Sequence, residues 1–251
     1  MPLKTPLEYL ESIKRPVNLY LFGEKVKEFW NHPIIKPSIN TVMKIYELAQ
    51  MEKYKDVMTT RSHLTGEIIN RFTHIHQSIN DLVKKVKMQR LLGQHTACCF
   101  QRCVGFDAAN ALYSVTFDID KKLGTNYHER FKNYWTEVQT QDLMVDGAMT
   151  DTKGDRSKRP KDQPDPDAYL HIVEEKDDGI IVKGAKVHQT GFLNSHRVIV
   201  MPTLALRPGE EEYAVSFGVN TNEKGITLIY GRQSCDTRKI EEGVLDIGNF
   251  K

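Results

Sequence analysis

The chain has 251 residues, of which 39% are hydrophobic and 27% are charged, so it can bury a sizeable core in one large domain or two modest ones. Lysine and arginine number 35 against 33 aspartate and glutamate residues, and because the two signs are interspersed, the composition argues against a nucleic-acid-binding protein. The N-terminal residues lack a long apolar run, and no segment approaches the roughly 20 apolar residues of a membrane span, which predicts a cytoplasmic protein without a signal peptide.

The first part of the chain is predicted to be helical. Near the N terminus, apolar residues recur at intervals of three and indicate one face of a short helix: Leu7, Leu10 and Ile13. Ser38 is expected to cap a second helix. The apolar face of that helix has helical spacing: Val42, Ile45, Tyr46 and Ala49.

Two longer helices are predicted next. Helical periodicity extends from Ser62 to Gly93, and Gly93 is expected to end that helix and to let the next one start. The segment "TACCFQRCVGFDAANALYSVTFDIDKKLG" then continues as a helix to Gly124.

The character of the sequence changes near residue 142. Residues 142–168 are polar and rich in glycine and proline, which predicts a loop. Short β-rich runs follow, beginning with a hairpin whose turn is expected around Asp178 and Gly179. Further strands are predicted in "HRVIVMPTLAL", "EYAVSFGVN" and "GITLIYGR". An α-rich part before a β-rich part predicts an α+β fold, with domains of residues 1–140 and 141–251.

Three of the four cysteines lie close together: Cys98, Cys99 and Cys103. On a continuous helix Cys99 and Cys103 would share one face with His95, whereas Cys98 would point about 100° away. Two thiolates on one face can hold a soft metal or an iron–sulfur cluster, although a complete site needs further ligands. On spacing alone, packing of small thiols in a buried helix is favoured, because a CxxxC pair without a second pair is a weak metal signal.

The segment "KVKMQRLLGQHTACCFQRCVGFDA" closely resembles the corresponding part of the 4-hydroxybutyryl-CoA dehydratase family, whose members carry a flavin and a [4Fe–4S] cluster. The resemblance runs along essentially the whole chain and includes "HPIIKPSIN", "DLMVDGAMTDTKGDR", "GAKVHQTG" and "IYGRQSCDTRKIEEG". More distantly, the chain is similar to the flavin-dependent 4-hydroxyphenylacetate 3-hydroxylases. The resemblance implies an acyl-CoA-dehydrogenase-like fold, with an N-terminal helical domain followed by an incomplete middle β-barrel domain.

The resemblance also implies a set of site residues. Cys99 and Cys103 would be two of the four cluster ligands, and Gln101 between them would be a catalytic residue near the substrate. Cys98 would only fill space, and Cys235 would be structural. FAD would be held by two loops, whose expected contact residues are Met149, Thr150, Lys153, Gly154, Asp155, Arg156, His188, Gln189, Thr190 and Asn194. Histidines outside these loops are expected not to be ligands: His74, His76 and His95.

By the same resemblance, the family's other two cluster ligands and its glutamate acid–base candidates lie in a C-terminal helical domain that is absent here. The chain is therefore expected to act on a CoA thioester only with a C-terminal complement or in a homo-oligomer.

Three interpretations stay open: part of a dehydratase-type enzyme, a flavin-dependent aromatic hydroxylase component, and a non-catalytic remnant or assembly module. The cysteine pair argues against the hydroxylase, because hydroxylases of this family need no cluster.

Overall fold

The computed structural model describes residues 3–152 and 154–231 and shows a mixed helix-and-sheet fold. The helices are α1 (Pro6–Ser12), α2 (Lys36–Gln50), α3 (Lys55–Met58), α4 (Ile79–Thr96), α5 (Cys103–Leu123) and α6 (Tyr127–Thr140). The strands are β1 (Asn18–Leu21), β2 (Glu24–Val26), β3 (Thr59–Arg61), β4 (Ile68–Asn70), β5 (Val145–Ala148), β6 (His171–Lys176), β7 (Gly179–Lys183), β8 (Arg197–Val200), β9 (Phe217–Asn220) and β10 (Thr227–Tyr230). None of the helices in the described ranges combines the length and apolarity needed to cross a bilayer.

Local sequence signals explain where several helices begin and end. A capping box of Thr5 and Glu8 starts α1, and a second one, of Ser78 and Asp81, starts α4. Gly124 ends α5 with a φ of 69°, a left-handed conformation that glycine adopts without strain. The predicted end of α5 is therefore confirmed.

Other helix predictions need correction. Residues 62–78 are not one helix, because they contain β4 and a single 3-10 turn at Arg71–Thr73, and the α-helix starts only after the cap at Ser78. Gly93 does not end α4, which continues to Thr96. Ser38 is not the N-cap of α2, which begins earlier with a proline in its first turn. In α1, Leu7 is 68% exposed, and Tyr9 fills the core instead.

The apolar face predicted for α2 is confirmed, because its four residues are all buried. Two of them, Val42 and Tyr46, join a core cluster that connects α1, α2 and the approach to β5 through Tyr9, Ile13 and Met144. A second cluster packs α5 and α6 around the fully buried Trp135. Residues at and just before β5 therefore pack into the same hydrophobic clusters as the helices.

A buried strand, β5, lies within the segment predicted to be a loop. It pairs in parallel with β8, and β8 pairs antiparallel with β9. Helix α5 lies very close to β5, since a Cβ at Gly105 would be 2.2 Å from the carbonyl oxygen of Val145. A Cβ at Gly147 would likewise be 2.4 Å from the side chain of Val104. These glycines let the start of α5 lie directly on the strand.

The predicted hairpin is confirmed as β6–β7, with its turn at Asp177–Asp178, one residue earlier than expected. A pairing that the sequence does not reveal joins the two ends of the described chain: β1 and β10 run in parallel, with Leu19 opposite Leu228. In residues 3–152 and 154–231 the strands form separate sheets of two or three strands, so the expected barrel is not closed in this part of the chain.

Candidate functional site

Helix α4 and helix α5 are separated by an irregular turn, residues 97–102, which we call the cysteine turn. Ala97 and Gln101 both adopt left-handed backbone conformations, with φ of 51° and 65°. Cys99 lies in this turn and is exposed, whereas Cys103 is the first residue of α5 and is partly exposed. The prediction that both cysteines lie on one helical face is therefore wrong, because the chain leaves the helix between them.

The cysteine turn nevertheless brings the thiols of Cys99 and Cys103 into hydrogen-bonding contact. Hydrogen bonding with Cys103, helped by the backbone N–H of Gln101, lowers the pKa of Cys99 to about 6. The same contact raises the pKa of Cys103, with burial adding to the effect. A pair that shares one proton in this way offers a thiolate near neutral pH, the form that binds metals.

The neighbours of this pair have other contacts. Cys98 Sγ lies 3.4 Å from Thr41 Oγ1 on α2. The His95 ring packs edge-on against Tyr54, with His95 Nε2 3.4 Å from the hydroxyl oxygen. The structure thus divides the cysteine cluster into one pair and one separate thiol, as the spacing predicts, although by a different geometry.

Gln101 is buried, and its carboxamide is held at both ends. Gln101 Nε2 donates to the carbonyl oxygen of Ser38 at 2.9 Å, and Gln101 Oε1 accepts from Asn194 Nδ2 at 2.6 Å. Asn194 Nδ2 also donates to Ser38 Oγ at 3.0 Å. Asn194, expected to contact the flavin, is only 1% exposed, and the structure places it inside this network.

The segment around Gly191 covers the cysteine turn from the other side. A Cβ at Gly191 would lie 2.4 Å from the carbonyl oxygen of Gln101 and 3.2 Å from the carboxyl carbon of Asp146. Glycine is therefore required where these two backbones meet. The cysteine turn, β5 and the residues around Gly191 converge at one place.

Asp146, on β5, is a candidate functional residue that the sequence analysis missed. Burial raises the pKa of its carboxyl group to about 7, and the charge of Cys99 adds to the increase. The backbone N–H groups of Gly147 and Gly191 donate to the carboxylate and oppose that increase. Asp146 Oδ2 has no hydrogen-bond partner among the described residues. The available signal was a single acidic residue inside the apolar run "LMVDGAM".

Two of the segments expected to bind flavin lie side by side. The backbone N–H of Val187 donates to the carbonyl oxygen of Thr150 at 2.8 Å. Lys186 and Asp151 form a nearly buried ion pair at 2.6 Å next to this contact. The structure therefore brings Met149 and Thr150 beside the segment that carries the exposed residues His188 and Thr190 and the half-buried Gln189.

The rest of the expected flavin-binding residues belong to a different loop. Gln163 holds that loop, since its Oε1 accepts from the backbone N–H of Asp155 at 2.9 Å and its Nε2 donates to the Asp155 carbonyl oxygen. Gly154 packs directly on the Gln163 side chain, and Arg156 is exposed. Lys153 and Cys235 lie outside the described residues.

The donor set of the cysteine pair fits a share of an iron–sulfur site. Cys99 and Cys103 supply two neighbouring soft sulfur donors, one exposed and one partly exposed, and thiolates are the usual ligands of such clusters. Within residues 3–152 and 154–231, no group of three or more histidine, cysteine, aspartate or glutamate side chains is arranged to hold a metal ion. The pair accordingly fits two positions of a site, not four.

Comparison with known proteins places the chain in a family. The family model described as 4-hydroxyphenylacetate 3-hydroxylase N terminal matches residues 5–250. The chain belongs to this family. It is also 57% identical over 249 residues to 4-hydroxybutyryl-CoA dehydratase/vinylacetyl-CoA-Delta-isomerase of Clostridium aminobutyricum. That alignment covers 98% of this chain and 51% of the relative. The oxygenase component of 4-hydroxyphenylacetate 3-monooxygenase from Thermus thermophilus is 27% identical, over 90% of this chain and 46% of that protein.

Solved structures show the same relationship. An oxygen-tolerant archaeal 4-hydroxybutyryl-CoA dehydratase from N. maritimus superimposes with a TM-score of 0.91 at 50% identity, over all of this chain and 50% of that one. The oxygenase component of 4-hydroxyphenylacetate 3-monooxygenase complexed with FAD gives a TM-score of 0.75 at 25% identity, over 91% of this chain and 47% of that one. The resemblance inferred from the motifs is confirmed, and the chain spans about half the length of the curated relatives it matches.

Proposed function

We propose that this chain is the N-terminal portion of a flavin- and [4Fe–4S]-dependent enzyme of the 4-hydroxybutyryl-CoA dehydratase/vinylacetyl-CoA isomerase type. The observation that carries this proposal is the contact between the thiols of Cys99 and Cys103, in a chain 57% identical to such a dehydratase. The substrate would be a 4-hydroxyacyl thioester of coenzyme A, as the name of that relative indicates.

Cys99 and Cys103 would hold one side of the cluster, with its other ligands supplied by another part of the enzyme. When bound, the iron would supply a Lewis acid for the hydroxyl group that departs from the substrate. The lowered pKa of Cys99 means that the pair already provides a thiolate near neutral pH, so less proton release accompanies metal binding.

The segments around Thr150 and Thr190 would line one wall of the flavin site. Support for this assignment comes from the FAD complex of the structural relative and from the pairing of Val187 with Thr150, which places the two segments next to each other. Thr190 is exposed, so its hydroxyl group can donate a hydrogen bond to a flavin ring. Buried Asp146, near both the thiols and Gly191, would keep a proton-accepting group close to this wall.

A C-terminal complement is part of the proposal. The relatives are about twice as long as this chain, and the described residues supply two sulfur donors at one place. We infer that catalysis requires a second polypeptide segment that brings two more cluster ligands and closes the flavin site. Assembly without catalysis, as an interaction module, is the outcome expected if no such segment can be combined with the chain.

Membership in the hydroxylase family supports a second candidate, a flavin-dependent aromatic hydroxylase component. The contact between Cys99 and Cys103 favours the dehydratase, because aromatic hydroxylation with flavin requires no pair of metal-binding thiolates. Activity on the two classes of substrate therefore separates the two candidates.

Co-production provides the test. The chain is produced anaerobically together with the C-terminal half of the Clostridium aminobutyricum relative, and the complex is assayed for dehydration of 4-hydroxybutyryl-CoA and for hydroxylation of 4-hydroxyphenylacetate. We expect dehydration, and we expect Cys103→Ala to abolish it. Hydroxylation without dehydration would support the second candidate. A complex that contains flavin and iron but performs neither reaction would contradict the proposal.

A further inference from the structure

We propose that Ser38, Gln101 and Asn194 form a positioning latch that holds the cysteine turn in the shape that brings Cys99 to Cys103. In this account Gln101, expected from the family resemblance to be catalytic, acts through the position of its neighbours. The inference deepens the proposed function, because the pair would be an iron site only if that function is correct. The latch itself can be tested without iron.

The backbone of Gln101 gives the first argument. Its φ of 65° lies in the left-handed region, where a side chain other than glycine, asparagine or aspartate is uncommon. Such a conformation persists only where the surroundings hold it in place. The two side-chain hydrogen bonds of Gln101, to Ser38 and Asn194, are the contacts that can do so.

The second argument is the direct link from this backbone to the sulfur. Gln101 stands two residues from each cysteine, so its left-handed backbone sets how the chain turns from Cys99 to Cys103 and directs its N–H towards Cys99. Rotation of the Gln101 peptide would remove the hydrogen bond and move the sulfur away from Cys103. Hydrogen bonds to cluster-binding sulfurs are also a known means of adjusting a metal centre.

Rigid anchoring of Asn194 is the third argument. Its side chain donates to both Ser38 and Gln101, and its carbonyl oxygen accepts from the hydroxyl of Tyr9 at 2.7 Å. Gly191, three residues earlier, packs on the Gln101 carbonyl oxygen, and its N–H donates to Asp146. The latch thus ties the cysteine turn to the first turn of α2, to α1 and to β5.

The burial of Gln101 is the reason to assign it a positioning role and not a catalytic one. The residue is 4% exposed, and both polar ends of its carboxamide already contact protein groups. A side chain that touches the reacting atoms must present a polar atom to the substrate. The geometry therefore assigns Gln101 a positioning role.

Cadmium titration tests the latch on this chain alone. The background variant Cys98→Ala/Cys235→Ala leaves Cys99 and Cys103 as the source of thiolates, and Cd²⁺ binding is followed by thiolate-to-metal charge-transfer absorption. In this background we expect Asn194→Leu to weaken Cd²⁺ binding about 10- to 100-fold, the usual effect of removing a group that orients a metal ligand. The exposed Asn220→Leu, a matched change on β9, should leave the affinity unchanged.

Gln101→Gly supplies the decisive contrast. Glycine accepts the left-handed backbone, which offsets part of the stability lost with the two buried hydrogen bonds. We therefore expect the melting temperature to fall less than in Asn194→Leu, while Cd²⁺ affinity falls as far as it does in Asn194→Leu. A merely structural role would make the loss of Cd²⁺ affinity follow the loss of stability, so the loss of affinity would be smaller in Gln101→Gly than in Asn194→Leu. The double variant should bind no more weakly than either single variant, because both changes open the same latch.

Unchanged Cd²⁺ affinity in Gln101→Gly would overturn the proposal, and so would additive losses in the double variant. If Asn194→Leu fails to fold, Gln101→Gly carries the test. Iron and flavin assays of the complemented enzyme report separately on the proposed function. Failure of those assays, with a working latch in the Cd²⁺ titration, would reject the function and keep the latch.

Discussion

Two regions of this molecule bury ionisable groups whose protons are exchanged at very different pH values. In the first, which we call the α1 joint, Arg15 and His196 connect the end of α1 to the residue before β5 and to the segment that leads into β8. His196 Nδ1 accepts from the backbone N–H of Met144 at 3.0 Å, and His196 Nε2 lies 2.8 Å from Ser12 Oγ. The second region is the cysteine site, which consists of Cys99, Cys103 and Asp146. There Asp146 keeps one carboxylate oxygen without a partner among the described residues.

The difference appears in the ionisation of each region. In the α1 joint, burial and the nearby positive charges lower the pKa of His196 to about 3, so the ring is neutral at pH 7 and serves as a fixed hydrogen-bonding group. In the cysteine site, burial and Cys99 raise the pKa of Asp146 to about 7. The joint therefore stabilises the fold, whereas the cysteine site holds groups whose protons move near neutral pH.

The largest expected effect is in the cysteine site. Cys99→Ala, in the background without Cys98 and Cys235, should reduce Cd²⁺ binding below detection, because one of the two sulfur donors is lost. Its melting temperature should change little, since Cys99 is exposed. Charge-transfer absorption and thermal unfolding measure the two quantities. Residual binding equal to that of the parent would show that the pair is not the site.

The α1 joint should respond in the opposite manner. Arg15 donates to the carbonyl oxygens of Leu193 and Ser195 and to Thr221 Oγ1. Arg15→Met should lower the free energy of unfolding by about 1–3 kcal/mol, because it removes the donor to the Leu193 carbonyl oxygen and to Thr221 Oγ1 and leaves the Ser195 carbonyl oxygen with Thr221 alone. Urea unfolding measures the loss. Cd²⁺ affinity should fall much less than in Asn194→Leu, because the side-chain hydrogen bonds of Asn194 to Ser38 and Gln101 are kept. If Arg15→Met lowered Cd²⁺ affinity without lowering stability, the α1 joint and the cysteine site would not have the separate roles assigned to them.

His196 predicts a loss of stability in acid. The ring binds a proton near pH 6.5 in the unfolded chain and only near pH 3 in the folded one. The free energy of unfolding should therefore fall as the pH drops from 6.5 towards 3, by at most about 1.4 kcal/mol per pH unit. His196→Asn should flatten this dependence. Urea unfolding at a series of pH values checks it, and equal slopes for both proteins would contradict the assignment.

For Asp146 we expect stability to depend on pH with the opposite sign. The effect should be slightly smaller, because the pKa of Asp146 is shifted by less than that of His196. The folded protein holds this proton up to about pH 7, whereas the unfolded chain loses it near pH 3.8. Stability should therefore fall as the pH rises from about 4 to 7, again by at most about 1.4 kcal/mol per unit. Asp146→Asn should remove that fall and be the more stable protein above pH 7. Matched unfolding curves at pH 5 and 8 measure the effect.

Local patterns predicted much of the fold. The buried face of α2 and the β6–β7 hairpin follow from spacing and turn chemistry, and Gly124 follows from its conformational freedom. The pairing of β1 with β10 could not be predicted in this way, since it joins Leu19 to Leu228 across most of the chain. Strand β5 was hidden because Asp146 and Gly147 break its apolar run, and the need for glycine at 147 comes from its close contact with Val104 of α5.

The proximity of Cys99 and Cys103 was predicted for a partly mistaken reason. Cys99 and Cys103 meet as expected, but a left-handed turn at Gln101 brings them together, and no spacing rule indicates that turn. Asn194 has a polar side chain in a segment with flavin-binding resemblance, yet its surroundings are the core. Long-range contacts decide both cases, and a single sequence does not contain them explicitly.

The most direct test of this account is the iron and flavin content of the chain combined anaerobically with the C-terminal half of its Clostridium aminobutyricum relative, read together with the absorption spectrum. The complex should contain both iron and flavin, and a Cys99→Ala/Cys103→Ala complex should keep the flavin and lose the iron. Equal iron content in the two complexes would contradict the central claim that this thiol pair is a cluster-binding site.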